Sequence, residues 1–263
     1  MQTEYTIKTL AIFLPVIAVM VVATWFLLKR HGGGYRFIPF IVLAGLILLG
    51  ESIKQIGAFV YSENGYPLFW LPLHISSVPI YTLPLSLIFY KKPKWSRVFW
   101  SLAFSSGVII SALTVFYPTL IFGDEVSALW QGQASGYGMY IGLYSVVLHL
   151  SYLYYVALIF LLKPSRWIIK EIFIGMSIFA IFVVVAIFMS NTLDTNFMGM
   201  REAAIGFLKP IFDVSVYLYQ IVLGIIYLLA ISIVSFACFK LFKYDGIEND
   251  ATYKGKKIEM YGG

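Results

Sequence analysis

The chain has 263 residues, of which 60% are hydrophobic and only 12% charged, with a mean hydropathy of +0.85 and a net charge of +6. A soluble domain carries about 25% charged residues, so a soluble globular protein is excluded and an all-α, polytopic membrane helix bundle is expected. The excess charge is no sign of a nucleic-acid partner, because the basic residues fall where membrane topology wants them, and the single cysteine, Cys238, excludes an internal disulfide and a cysteine-based metal site.

About seven transmembrane helices can be drawn, over roughly 9–28, 37–60, 67–90, 98–118, 139–162, 168–190 and 211–239. The first is too long for a signal-peptide core and shows no small-residue cleavage site, so it reads as a retained span. Fifteen Lys and Arg residues lie in alternate connections and the tail, including Lys29, Arg36, Lys91, Arg97, Arg166 and Lys240. Lys8, Arg201 and Lys209 lie on the other side. Positive residues stay in the cytoplasm, which predicts an N-terminus outside and a C-terminus inside. The expected division is a transmembrane domain over 1–243 and a polar cytoplasmic tail over 244–263, in a multi-pass protein of the cell membrane. The lipid bilayer is its first partner.

The third span, Pro67 to Tyr90, carries no formal charge but holds prolines at 67, 72, 79 and 84, with His74, Ser76 and Ser77 among them. Proline inside a helix removes a backbone hydrogen bond and bends the chain. This predicts a bent, packed segment close to the functional centre. Of the outer connections, 61–66 reads as an Asn-Gly turn and 123–138 as a polar loop. The segment 191–210 is the longest loop and contains Asn191 and Asn196. No repeat relates spans 1–3 to spans 5–7, which gives no support to an inverted-repeat carrier.

Polar residues inside the spans cluster in depth. At about 1.5 Å per residue, His74 and Ser111 lie roughly 10 Å below the outer ends of their spans, Lys54 roughly 9 Å, and Glu51, Gln220 and His149 roughly 14–15 Å. All fall in the outer half of the bilayer, which predicts one outward-opening polar pocket. Glu51 and Lys54 share a helix face at i and i+3, either as a structural ion pair or as pocket lining. Each histidine alone reads as a helix-bridging hydrogen bonder. Two at one depth, beside a Glu and a Lys, point to chemistry or proton handling. Ser76 and Ser77 satisfy carbonyls freed by Pro79 or supply a nucleophile. Asp213 reads as a cap of the last span. A metal held by two histidines and Glu51 lacks a spacing signal, so no metal and no cofactor is expected. A retinal protein is excluded, because no lysine lies between Ile211 and Phe239 for a Schiff base.

Glu51-Ser-Ile-Lys54, Leu71-Pro-Leu-His74 followed by small residues and Pro79, His149, Asn191-Thr-Leu-Asp-Thr-Asn196-Phe-Met, and Lys209-Pro210 together resemble the YwaF-like bacterial integral membrane proteins, over about residues 45–235. That family is distantly similar to animal transmembrane acyltransferases acting on phospholipids, in which a cysteine and a histidine are implicated. The resemblance implies a phospholipid or other amphiphile as ligand. Many such members place a cysteine shortly after Leu-Pro-Leu-His, where this chain has Ser76 and Ser77. A serine ester would be the substitute, or no covalent step at all. The leading expectation is therefore a lipid-acting acyl hydrolase or acyltransferase. In it, His74 or His149 would be the general base, Ser77 or Ser76 the nucleophile and Glu51 the group orienting an imidazole, with Lys54, Ser76, Ser111, Gln220, Asn191 and Asn196 lining the pocket. The alternatives are a proton-coupled transporter and a non-enzymatic membrane partner or sensor using the same pocket.

Overall fold

The structure is a computed structural model and describes residues 2–29, 33–61, 66–134, 136–203 and 206–242. The polar tail over 244–263 lies outside the described residues. Among the described residues every regular element is helical. The elements are α1 (Gln2–Lys29), α2 (Ile38–Tyr61), α3 (Val78–Ile88), α4 (Pro93–Phe116), α5 (Pro118–Trp130), α6 (Gly136–Leu162), α7 (Ile169–Thr192), α8 (Lys209–Val214) and α9 (Val216–Phe242). Six of them, α1, α2, α4, α6, α7 and α9, are long and apolar enough to cross a membrane.

α4 is the axis of the bundle. Of its apolar window 72% is buried, against 11% in α1 and 22% in α2 and α9. The cause is in its sequence. Ser101, Ser105, Ser106, Gly107, Ser111 and Thr114 are small, and small residues let helix backbones approach closely where lipid supplies no hydrophobic drive. A Cβ at Gly107 would collide with the Tyr155 hydroxyl, which donates to the Ala103 carbonyl at 2.6 Å. Ser105 and Ser235 share a hydrogen bond of 2.7 Å that ties α4 to α9. Ser106 and Thr114 donate to carbonyls of their own helix, which leaves neither hydroxyl unsatisfied in the core.

The third predicted span is not one bent helix. Residues 68–70 form a 3-10 turn, and 75–77 form a second that runs directly into the α-helix at Val78. Prolines 67 and 72 have no N–H to give a helix, and each disfavours the α conformation of the residue before it. Pro79 falls in the first turn of α3, where a missing N–H costs nothing. α3 has 11 residues and is about 16 Å long, roughly half a hydrocarbon core. His74 and Ser77 are therefore not neighbours on an α-helical face. The Ser77 N–H donates to the His74 carbonyl at 2.9 Å and closes a 3-10 turn.

Two further expectations are corrected. The stretch expected as a polar loop from Gly123 begins inside α5, whose Phe122 and Val126 pack with Leu10, Val146 and Leu150. The last span is broken at Ser215, which is extended (φ −161°, ψ 119°), so α8 and α9 are separate. Asp213 caps neither: it pairs with Lys209 at 2.8 Å across one exposed turn of α8.

Candidate functional site

A cavity of about 760 Å³ lies between the C-terminal half of α4 and the N-terminal half of α6. Its other walls are α5, the 69–80 segment, Lys54 of α2, Met198, Gly199, Gly206 and Phe207, and α9. His74, Ser76, Ser77 and His149 all line it. Its apolar wall includes Ile80, Ile109, Leu113, Ile121 and Leu148. Phe69, Tyr117 and Phe207 also line it and are 52%, 64% and 75% exposed, which marks the rim.

Each histidine is held by one nitrogen. His149 Nδ1 lies 2.8 Å from the Ser145 carbonyl of its own helix, and His74 Nε2 lies 2.9 Å from the Phe69 carbonyl. A carbonyl only accepts, so in each neutral ring the bonded nitrogen carries the proton. The other nitrogen, Nε2 of His149 and Nδ1 of His74, keeps its lone pair. Both rings are fixed by aromatic edges: His149 by Phe122 and Tyr152, His74 by Phe69 and Phe197. Tyr152 does a second job. Its hydroxyl donates to the Ser76 carbonyl at 2.5 Å, which pins the serine turn to α6 beside His149.

Behind the cavity wall lies a polar network. The buried Glu51 accepts from Lys54 Nζ at 2.7 Å, from Gln55 Nε2 at 2.5 Å and from the Tyr144 hydroxyl at 2.9 Å. Gln55 also donates to the Trp70 carbonyl at 2.9 Å and accepts from Tyr66. The network thus joins α2 to α6 and to the irregular segment that carries His74. Tyr137, Tyr140 and Tyr144 stack along one face of α6. Their hydroxyls reach the carbonyls of Lys54 and Gly50 and the Glu51 carboxylate. Gly50 and Gly57 make room for this ladder, since a Cβ at Gly50 would stand 2.5 Å from Tyr144 Cε2, and one at Gly57 would strike Tyr137.

The remaining expected pocket residues stand elsewhere. Gln220 is buried in a reciprocal amide pair with Asn191, at 3.0 and 2.9 Å, and donates also to the Met200 carbonyl. Asn196 accepts from the Arg201 N–H at 2.8 Å and donates to Glu202. These contacts shape the 196–202 segment, whose Met198 lines the cavity with φ 53° and gives its carbonyl to Tyr227 at 2.8 Å. Ser111 Oγ is buried without a hydrogen-bond partner among the described residues, on the helix that presents Ile109 and Leu113 to the cavity.

The opposite end of the bundle holds an ion pair. Arg97 of α4 donates from Nε and Nη2 to Glu171 of α7 at 2.5 and 2.8 Å, and the side chains are only 11% and 9% exposed. Near it in sequence, Trp167 stacks on Phe242 at 4.5 Å and its backbone N–H donates to the Phe242 carbonyl. Sequence reasoning also passed over Gln55 and Tyr144. The usable signal was the spacing: glycines seven apart in α2 match tyrosines at i, i+3 and i+7 in α6.

Among the described residues no group of three or more His, Cys, Asp or Glu gathers to hold a metal. No curated protein and no solved structure matches the chain. The TMEM164 family model matches residues 2–241. This match corrects the YwaF-like resemblance, which rested on pieces of one to eight residues; a match over nearly the whole chain outweighs them. The chain is a multi-pass membrane protein and belongs to the TMEM164 family.

Proposed function

We propose that the cavity holds the acyl chain of a membrane lipid and that its histidines and serines cleave or transfer that acyl group. The observation that carries this reading is that two tautomer-fixed imidazoles line one cavity together with Ser76 and Ser77, on a wall that is otherwise mostly aliphatic and aromatic. An imidazole nitrogen with a free lone pair is a general base at neutral pH. A serine hydroxyl needs such a base to attack an ester carbonyl. In the proposed step the Ser77 or Ser76 hydroxyl adds to the carbonyl, and its proton passes to the imidazole. The lysolipid alkoxide then leaves with that proton, and an acyl-serine remains. Water or a second lysolipid releases the acyl group by the reverse route. Glu51 does not orient an imidazole, since its contacts are to Lys54, Gln55 and Tyr144. It positions the wall. With the N-terminus outside, the cavity faces the outer leaflet.

The test is turnover. Purified protein in bilayer discs is incubated with a phospholipid bearing an isotope-labelled acyl chain, and lipids are followed by mass spectrometry. Labelled fatty acid, or label moved to a second headgroup, is expected. Unchanged lipids together with histidine-dependent uptake of a solute into liposomes would assign the same cavity to transport.

A further inference from the structure

We propose that Lys54 is the headgroup site of this cavity, binding the oxyanion, phosphodiester or carboxylate, of the amphiphile whose chain lies along the aliphatic wall. The inference rests on the lipid reading of the cavity and adds the charge class of the ligand. Among the described residues that line the cavity, Lys54 alone carries a formal charge. Lys54 lines the space with its side chain 15% exposed, while Glu51 lies behind it and does not.

A purely structural ion pair leaves part of this arrangement without purpose. Gln55 and Tyr144 both donate to the Glu51 carboxylate, so that group is held without the lysine. Lys54 gives Glu51 one hydrogen bond and has three to give. Two N–H donors remain for a ligand. The ammonium also lies 5.8 Å from the centre of the Tyr144 ring, a cation–π contact that fixes it without using a donor. The Tyr137 hydroxyl bonds the Lys54 carbonyl and holds the helix at that residue. The result is a preorganised cation at the edge of an apolar chamber, which is the pattern an anionic amphiphile matches.

The experiment is equilibrium binding in an uncharged detergent, read by quenching of tryptophan fluorescence with bromine-labelled acyl chains. Trp70 lines the cavity and reports occupancy. Three probes share one chain: a lysophosphatidylglycerol, a free fatty acid and a neutral monoacylglycerol. Wild-type protein is expected to bind both anions more tightly than the neutral probe, and their order identifies the oxyanion. Lys54→Gln is expected to lose about tenfold or more for the anions, the loss of a hydrogen bond from a charged donor. Lys54→Arg is expected to retain most of the anion affinity. Glu51→Gln removes the competing carboxylate and is expected to keep or tighten anion binding, which no merely structural pair would do. Anion affinity unchanged in Lys54→Gln, or weakened in Glu51→Gln while the neutral probe still binds, would overturn the proposal. If Lys54→Gln loses all three probes, Lys54→Arg and Glu51→Gln decide it. Binding needs no turnover, so charge-selective binding without acyl movement would reject the catalytic reading and leave this one standing.

Discussion

His149→Ala is expected to lower lipid turnover by about 10²–10⁴-fold, the usual contribution of a positioned general base. The residue is buried on the cavity wall, and its Nδ1 is committed to the Ser145 carbonyl. Only Nε2 remains to accept a proton. The control is His149→Gln, which keeps an N–H donor in a similar volume but has no basic nitrogen. If the histidine acts as a base, glutamine is as inactive as alanine while the melting temperature stays near wild type. If it acts only by packing against Phe122 and Tyr152, glutamine restores most of the rate. Label transfer, melting temperature and the pH profile of the residual rate, measured on one preparation, separate the two.

Glu171→Ala is expected to destabilise the protein by about 3–5 kcal/mol, because it removes the carboxylate that the buried Arg97 guanidinium bonds through two nitrogens. The pair is bidentate and joins α4, the axis of the bundle, to α7. Replacing both partners with methionine is expected to cost much less than either single change, since the desolvation cost disappears with the charges. Lys209→Ala is the contrast: that pair with Asp213 is 64% and 54% exposed and within one turn, and its loss is expected to cost about 0–1 kcal/mol. Thermal unfolding in one detergent checks all four. A Glu171→Ala protein as stable as Lys209→Ala would show that the guanidinium finds water or another partner.

The long helices were legible because an uninterrupted apolar run of about 20 residues has one dominant solution in a bilayer. The third span was half legible. Its prolines announced a distortion, yet not that helix would be given up from 71 to 74 and resume at Ile75 as a 3-10 turn that leads into α3. α5 was misread because Asp124 and Glu125, with the Gln-Gly run after them, look like a loop, while Phe122 and Val126 seat that helix on the core. The break at Ser215 has neither proline nor glycine to signal it.

For the candidate site, depth along a helix axis is one coordinate, and rotation about that axis is another. Depth grouped His74, His149, Lys54 and Gln220 alike. The structure sets the first three on one cavity and turns Gln220 toward Asn191. No local pattern reports that rotation, because the turns of α6 and α9 are apolar on nearly every side. Arg97 and Glu171 lie 74 residues apart and come together only through the packing of α4 on α7. Pairing of that kind is not written in any local window.

The central claim is that this cavity holds a lipid acyl chain. The most direct measurement is photolabelling in bilayer discs with a phospholipid whose acyl chain carries a diazirine, followed by peptide mapping. Label is expected on the cavity wall, at Ile109, Leu113 and Leu148, and is expected to fall when Ile109 and Leu148 are both replaced by tryptophan to fill the space. Label confined to the lipid-facing residues of the outer helices, such as Val19 of α1, Val42 of α2 and Ile233 of α9, and unchanged in the filled variant, would contradict it.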